Sequence, residues 1–268
     1  MNILRHRPIE RSIEIVAIDG PFGGDIRLCN DNSTLTRRLF YLAEYEASEW
    51  YWWAQWCARA SSVLELGANT GFYTIIGARS PSVRQYVAVE PHPHTATMLT
   101  RNLELNGVTR VRVVKAAAVG EPGRARMALH VPLGDPDATP QGAFLATARL
   151  DGRRDSRDTV MVDVIEARGL IEGVDLIKMD IEGEEVHVLR SAEDILAARR
   201  PTIFLEVLER NSELRAYLPT LCARCGYVVR GIGRQRLYHL SPSDVGRERS
   251  FRQSGTRDVI VTTTAWDG

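Results

Sequence analysis

A chain of 268 residues, 44% hydrophobic and 25% charged, can bury the core of one α/β domain with some decoration, which excludes a disordered or fibrous protein. Lys plus Arg and Asp plus Glu both number 34, so no global field draws the chain onto nucleic acid, although Arg side chains cluster locally over 149–157 and 230–236. No stretch approaches the ~20 apolar residues of a membrane span, and the N-terminus lacks a secretory apolar run; both predict a cytoplasmic protein with no membrane partner.

In chain order, short strands are predicted over 13–18 and 25–28, joined by the turn-rich Asp19-Gly-Pro-Phe-Gly-Gly24. A helical region follows over about 34–60 and carries Glu44, Tyr45, Glu46 and Glu49. Its aromatic cluster, Trp50, Tyr51, Trp52, Trp53 and Trp56, reads as core packing or a homodimer surface, or else as a wall over a substrate pocket. From 62 onward strands alternate with helices. Strands are predicted over 63–66, 86–90, 111–115, 175–180 and 202–207, and the last two over 227–230 and 258–263. Helices are predicted over 71–78, 95–106, 184–198 and 212–224, the second stopped by Asn106-Gly107. This alternation implies a parallel sheet covered by helices on both faces.

Two segments break the rhythm. Over 120–167, strands at 124–130 and 159–164 form an inserted hairpin around the polar loop 134–140; a second polar segment spans 241–256. The expected organisation is therefore an N-terminal extension over 1–60, with strands and an aromatic-rich helical segment, and a main domain over 61–268. The cysteines include Cys222-Ala-Arg-Cys225, but no second pair or His pair accompanies them, so they read as packing residues in a reducing compartment rather than a zinc site.

The strongest motif is Val63-Leu-Glu-Leu-Gly-Ala-Asn-Thr-Gly-Phe-Tyr73. A buried strand runs into Gly67, and Gly71 opens a helix, so the backbone can approach a ligand closely at the strand's carboxyl end. The second strand ends in Glu90, roughly 20 residues beyond the loop, where a carboxylate grips ribose hydroxyls. A dinucleotide enzyme would show Gly-x-Gly-x-x-Gly; this loop is Gly-x-Asn-x-Gly and makes no full phosphate cradle. Glu65, just before it, suits a ligand with an ammonium group. S-adenosylmethionine, with a sulfonium, an ammonium and no phosphate, fits these features. Glu65, Gly67, Ala68, Asn69, Thr70, Gly71, Phe72, Glu90, Pro91, Ala117 and Asp180 are its expected contacts.

With these residues the sequence resembles the FkbM-type methyltransferases. The likeness is carried by Leu64-Glu-Leu-Gly-Ala-Asn-Thr-Gly-Phe-Tyr-Thr74, by Val89-Glu-Pro-His-Pro93 with Asn102-Leu-Glu-Leu-Asn-Gly107, and by Leu176-Ile-Lys-Met-Asp-Ile-Glu-Gly-Glu-Glu185 with Pro201-Thr-Ile-Phe-Leu-Glu206. Tyr45-Glu46 looks like the family's entry segment. Where the family commonly has Leu-Asp before the fourth strand, this chain has Val162-Asp163-Val164-Ile165. The resemblance implies a class I methyltransferase (Rossmann-like) fold: a seven-stranded, mostly parallel sheet with helices on both faces and an antiparallel C-terminal strand. It also implies O-methylation of a hydroxyl, or a carboxylate, on a sugar or other small-molecule natural product of secondary metabolism.

A hydroxyl acceptor needs its proton removed, so a general base or a metal is useful. Asp180 closes the fourth strand at the crevice and is the first candidate base; Lys178 and Glu206 join it as catalytic candidates. Asp180 with Glu206 is also a candidate pair of ligands for a divalent metal, whose need stays open. Tyr45, Glu46 and Glu182 are the candidate substrate residues. His92, His94 and His187 are each more simply capping or surface residues. Two alternatives stand beside this reading. One is a nucleic-acid methyltransferase, against which Asp180-Ile-Glu-Gly183 replaces the Asn/Asp-Pro-Pro-aromatic block of adenine N6 enzymes. The other is a non-catalytic, cofactor-binding scaffold.

Overall fold

The computed structural model describes residues 7–121, 123–132, 138–140, 142–145, 156–234, 236–245, 247 and 256–263. The loop expected over 134–140, the Arg cluster over 149–157 and the polar segment 241–256 lie partly or mostly outside these residues.

The chain opens with an antiparallel hairpin, β1 (Ile15–Asp19) and β2 (Asp25–Cys29), closed where the Gly20 N–H donates to the Gly24 carbonyl. Helices α1 (Thr34–Leu42) and α2 (Ala47–Cys57) follow. The single helical region expected over 34–60 is thus broken. Ala43 (φ 49°) and Glu46 (φ 43°) both adopt left-handed backbone, so the break pushes Tyr45-Glu46 out of helical register.

Next come β3 (Ser62–Leu66), α3 (Phe72–Ala78), β4 (Gln85–Val89), α4 (Pro93–Leu105) and β5 (Val111–Val114). His92 caps α4, its Nδ1 facing the Thr95 N–H, and Pro93 starts the helix with its φ already set. The insertion follows: β6 (Ala117–Val119), β7 (Arg126–Pro132), β8 (Phe144–Leu145) and β9 (Ser156–Glu166). After the short α5 (Arg168–Ile171) come β10 (Leu176–Met179), α6 (Glu185–Ser191), α7 (Glu193–Arg199), β11 (Thr202–Glu206), α8 (Ser212–Cys225), β12 (Val228–Ile232), β13 (Leu237–Leu240) and β14 (Asp258–Thr262). The helix expected over 184–198 is interrupted at Ala192, where α6 ends and α7 begins.

The main sheet has eight strands in the order β13-β12-β14-β11-β10-β3-β4-β5. Strands β11, β10, β3, β4 and β5 are parallel, and β14 runs antiparallel between β11 and β12. This is the expected seven-stranded sheet with its antiparallel C-terminal strand, plus one. The extra strand is β13, which turns back on β12 through a hairpin where the Gly233 N–H donates to the Arg236 carbonyl.

One sheet face packs on α6, α7 and α8 through Leu64, Leu66, Ile177, Ile203, Leu189 and Leu218. The other face carries Val63, Phe204 and Ile260 and packs on α2 and α3. The tryptophans of α2 belong to this second core. Trp53 is 0% exposed, stacks edge-on against Phe204 at 5.3 Å and donates from Nε1 to the Tyr73 carbonyl at 3.0 Å. Trp52 Nε1 donates to the Gly233 carbonyl at 2.7 Å. Trp52, Trp53 and Trp56 of the aromatic cluster are core packing on the sheet, Trp50 is partly buried against them, and Tyr51 is exposed. Cys222 and Cys225 are likewise buried free thiols on α8.

The β1–β2 hairpin is clasped to α4 by two asparagines one turn apart. The Cys29 N–H donates to Asn102 Oδ1 at 2.8 Å, and Asn106 pairs with both the N–H and the carbonyl of Arg27. The insertion is more than a hairpin: β7 and β9 pair antiparallel, and β6 and β8 widen them into a four-stranded sheet with its own apolar cluster of Ala117, Val119, Leu129, Leu145 and Val162. Among the described residues no helix is long and apolar enough to cross a membrane.

Candidate active site

Parallel strands deliver their carboxyl ends to one edge of the sheet, where the turns leave a crevice. The tip of β3 is the glycine loop. Gly67 and Ala68 N–H groups both donate to the Val89 carbonyl at 3.0 Å, stitching the loop to the tip of β4. Gly67 (φ 84°) passes so close to β10 that a Cβ there would lie 1.8 Å from the Asp180 carbonyl oxygen. No side chain fits at that distance. Gly67→Ala should therefore cost more than about 3 kcal/mol and lower the thermal midpoint by roughly 10 °C. A melting curve superimposing on that of the wild type would contradict this packing.

Glu90 sits at the tip of β4. Its Oε2 accepts from the Asn69 N–H and its Oε1 from the His92 N–H, each at 2.9 Å. Burial pushes this carboxyl up to about 7, against the pull of those two donors.

The cleft beside these groups is lined by Gly67, Asn69, Glu90, Pro91, Ala117 and Asp180 from the expected cofactor set, and also by Tyr45, Glu46, Glu182 and Glu206. The break between α1 and α2 is what brings Tyr45 and Glu46 here: the Tyr45 ring rests edge-on against Phe72 at 6.0 Å, and Tyr73 Oη donates to Glu46 Oε2 at 2.8 Å. Ala68, Thr70, Gly71 and Phe72 do not line the cleft. They are buried and form the loop's support.

Glu65 differs from expectation. Strand alternation turns its side chain away from the cleft and into the core, where Thr74 Oγ1 donates to its Oε2 at 2.7 Å and Tyr86 Oη donates to the same oxygen. It is 1% exposed and does not line the cleft. Burial raises its carboxyl to about 7, although Lys178 and the two hydroxyls pull it down. A raised acid favours folding in its protonated form. That contribution is full below the ordinary value near 4.5 and is lost as pH rises through about 7. Thermal melts of wild type and Glu65→Gln should show the wild type's relative stability shrinking from mildly acidic to mildly alkaline buffer; a gap independent of pH would refute the shift.

Lys178 also lies below the cleft floor. It is 5% exposed, its Nζ is 3.3 Å from Asp180 Oδ2, and it sits 4.6 Å over the Tyr73 ring. Burial opposes its charge, but Asp180, Asp258, Glu65 and Glu46 together outweigh burial and hold it as an ammonium. An ammonium has no lone pair to take up a proton, so in this form Lys178 stands beside Asp180 as its cation and not as a proton acceptor.

Asp180, Glu182 and Glu206 converge on the cleft. Glu182 adopts a left-handed backbone (φ 55°) in the loop after β10. That loop is held by Glu185, whose carboxylate accepts from the Ile181 and Gly183 N–H groups and from Asn211 Nδ2. Glu206 is pushed well up by burial and by the charges of Asp180, Glu182 and Asp258.

One contributor was missed in the sequence. Asp258 opens β14 in register with Glu206, and because β14 is antiparallel its first residue lies at the carboxyl ends of the parallel strands. Burial and the neighbouring acids raise it to about 8, despite Lys178. The insertion supplies Leu129, Pro140, Gly142, Ala143 and Leu145 as an apolar wall.

The sequence matches the methyltransferase FkbM domain over residues 65–229. Among solved structures, the FkbM methyltransferase of Methylobacillus flagellatus KT is 16% identical, with 76% of this chain and 43% of that one covered and a TM-score of 0.45. The chain thus spans less than half the length of that protein. The O-methyltransferase of Bacillus cereus in complex with SAH is 13% identical over 83% of this chain and 84% of that one, with a TM-score of 0.46. TYW2 of M. jannaschii in complex with AdoMet is 13% identical over 95% and 87%, with a TM-score of 0.44. No curated protein matches the sequence. The match is to a methyltransferase domain and spans the glycine loop, the acidic strand ends at Glu90, Asp180 and Glu206, and most of the sheet. The chain belongs to the FkbM methyltransferase family.

Proposed function

We propose that this chain is an S-adenosylmethionine-dependent O-methyltransferase acting on a hydroxyl, or a carboxylate, of a small-molecule natural product or sugar. The observation that carries this reading is the meeting of the bare Gly67 loop, Glu90 and Asp180 in one cleft, with the Asp180 backbone packed directly against Gly67. Glu90 receives the ribose hydroxyls, and Gly67, Asn69, Pro91 and Ala117 line the rest of the donor half. Bound there, S-adenosylmethionine supplies a methyl carbon whose leaving group is a neutral thioether.

Tyr45, Glu46 and Glu182 hold the acceptor, and Leu129 and Leu145 cover its apolar body. Asp180, aimed by Lys178, takes the hydroxyl proton as the acceptor oxygen bonds to the methyl carbon and the carbon–sulfur bond breaks. The acceptor half carries Glu46, Asp180, Glu182, Glu184 and Glu206, a concentration of acid that disfavours a polyanion such as nucleic acid.

Titration with S-adenosylhomocysteine tests the reading: a saturable heat with one site is expected. Absence of affinity for both methyl donor and demethylated product would overturn it. Mass spectrometry of an acceptor screen over glycosides and polyketides then identifies the methylated class.

A further inference from the structure

Asp180, Glu182 and Glu206 reach the cleft from three places: just past the tip of β10, the loop behind it, and the tip of β11. Each offers a carboxylate oxygen, and these oxygens lie within 4.8 Å of one another. Lys178 meets Asp180 at 3.3 Å, but its ammonium is shared with Asp258, Glu65 and Glu46. At the other end of the cluster, Glu206 Oε2 is buried and accepts from no N–H or hydroxyl group; the side chain that hydrogen-bonds Glu206 is Asp180, itself an acid. A buried carboxylate oxygen without a donor is costly, and two acids beside it add repulsion.

The spacing suits a hard cation. Ligand oxygens opposite one another are roughly 4 Å apart around Mg²⁺ and close to 5 Å apart around Ca²⁺, from bond lengths of ~2.1 and ~2.4 Å. Carboxylate oxygens also select such ions over softer ones.

We propose that Asp180, Glu182 and Glu206 hold a divalent cation of the Mg²⁺, Mn²⁺ or Ca²⁺ class, with water and acceptor oxygens completing its coordination. This deepens the proposed function and rests on it for the identity of the acceptor, while the cation site itself stands on the three carboxylates. A cation there draws in an acceptor hydroxyl and makes it more acidic. It also supplies charge that Lys178, divided among its four acids, does not bring to Glu206.

The test uses the full-length protein, stripped with a chelator and titrated with Mn²⁺ by calorimetry and electron paramagnetic resonance. One bound equivalent is expected. Glu206→Gln and Glu182→Gln should each weaken Mn²⁺ binding by about tenfold or more, while their affinity for S-adenosylhomocysteine stays within a few fold of wild type, which shows that they fold. No Mn²⁺ uptake by the wild type, or wild-type affinity in Glu206→Gln, overturns the proposal; the Asp180–Glu206 pair then shares a proton instead of a metal. Mn²⁺ binding without S-adenosylhomocysteine binding supports the cation site and strikes only the methyl-donor assignment.

Discussion

Asp180→Asn is expected to lower turnover by about 10²–10⁴-fold while affinity for S-adenosylhomocysteine stays within a few fold of wild type. The substitution keeps the side chain's volume and removes its basicity. It does not strand a buried ammonium, because Asp258, Glu65 and Glu46 also face Lys178. Nor does it loosen the glycine loop, since the contact made there is with the Asp180 backbone. Steady-state and single-turnover rates, alongside calorimetry on the same preparation, separate chemistry from binding. Unchanged turnover would eliminate Asp180 as the group that receives the proton.

Glu90→Ala carries the second large effect. A carboxylate that accepts from two ribose hydroxyls contributes charge-assisted bonds of about 1.5–3 kcal/mol each, so affinity for S-adenosylhomocysteine should fall by roughly two to four orders of magnitude. The variant also leaves the Asn69 and His92 N–H groups without their acceptor, so some loss of thermal stability accompanies it. Glu90→Gln distinguishes the two losses, because the amide oxygen can still accept from one of those N–H groups. The sign of the pH dependence follows from the raised carboxyl. Ligand binding favours the ionised form, so wild-type affinity climbs as pH rises through about 7 and flattens above it, and Glu90→Gln loses Glu90's share of that slope. Wild-type affinity in Glu90→Ala would end the ribose assignment.

Much of this architecture is legible in the sequence because parallel strands buried on both faces are written as short apolar runs. Leu64, Leu66, Ile177 and Ile203 could hardly be read otherwise, and Glu90, Asp180 and Glu206 fall at strand ends whose crevice position follows from topology alone. Glu65 shows the limit of that logic. Spacing along the chain places it beside the loop, but the pleat decides which face it takes, and that face is the core. The break between α1 and α2 was illegible for a related reason. Residues 34–60 contain no Pro or Gly to mark a stop, so the left-handed turns at Ala43 and Glu46 come from tertiary packing. Asp258 was hidden because an antiparallel return strand sends its first residue, not its last, to the ligand edge.

The insertion's separate apolar cluster has an evolutionary corollary. Its sheet is consolidated by its own side chains, while the donor loop is locked to β4 and β10 by backbone contacts that tolerate almost no change. Selection can therefore remodel one half of the cavity without disturbing the other. Grafting the 126–166 segment between relatives should transfer acceptor preference and leave the methyl-donor machinery intact, so that new chemistries arise by exchanging a module rather than by rebuilding an enzyme.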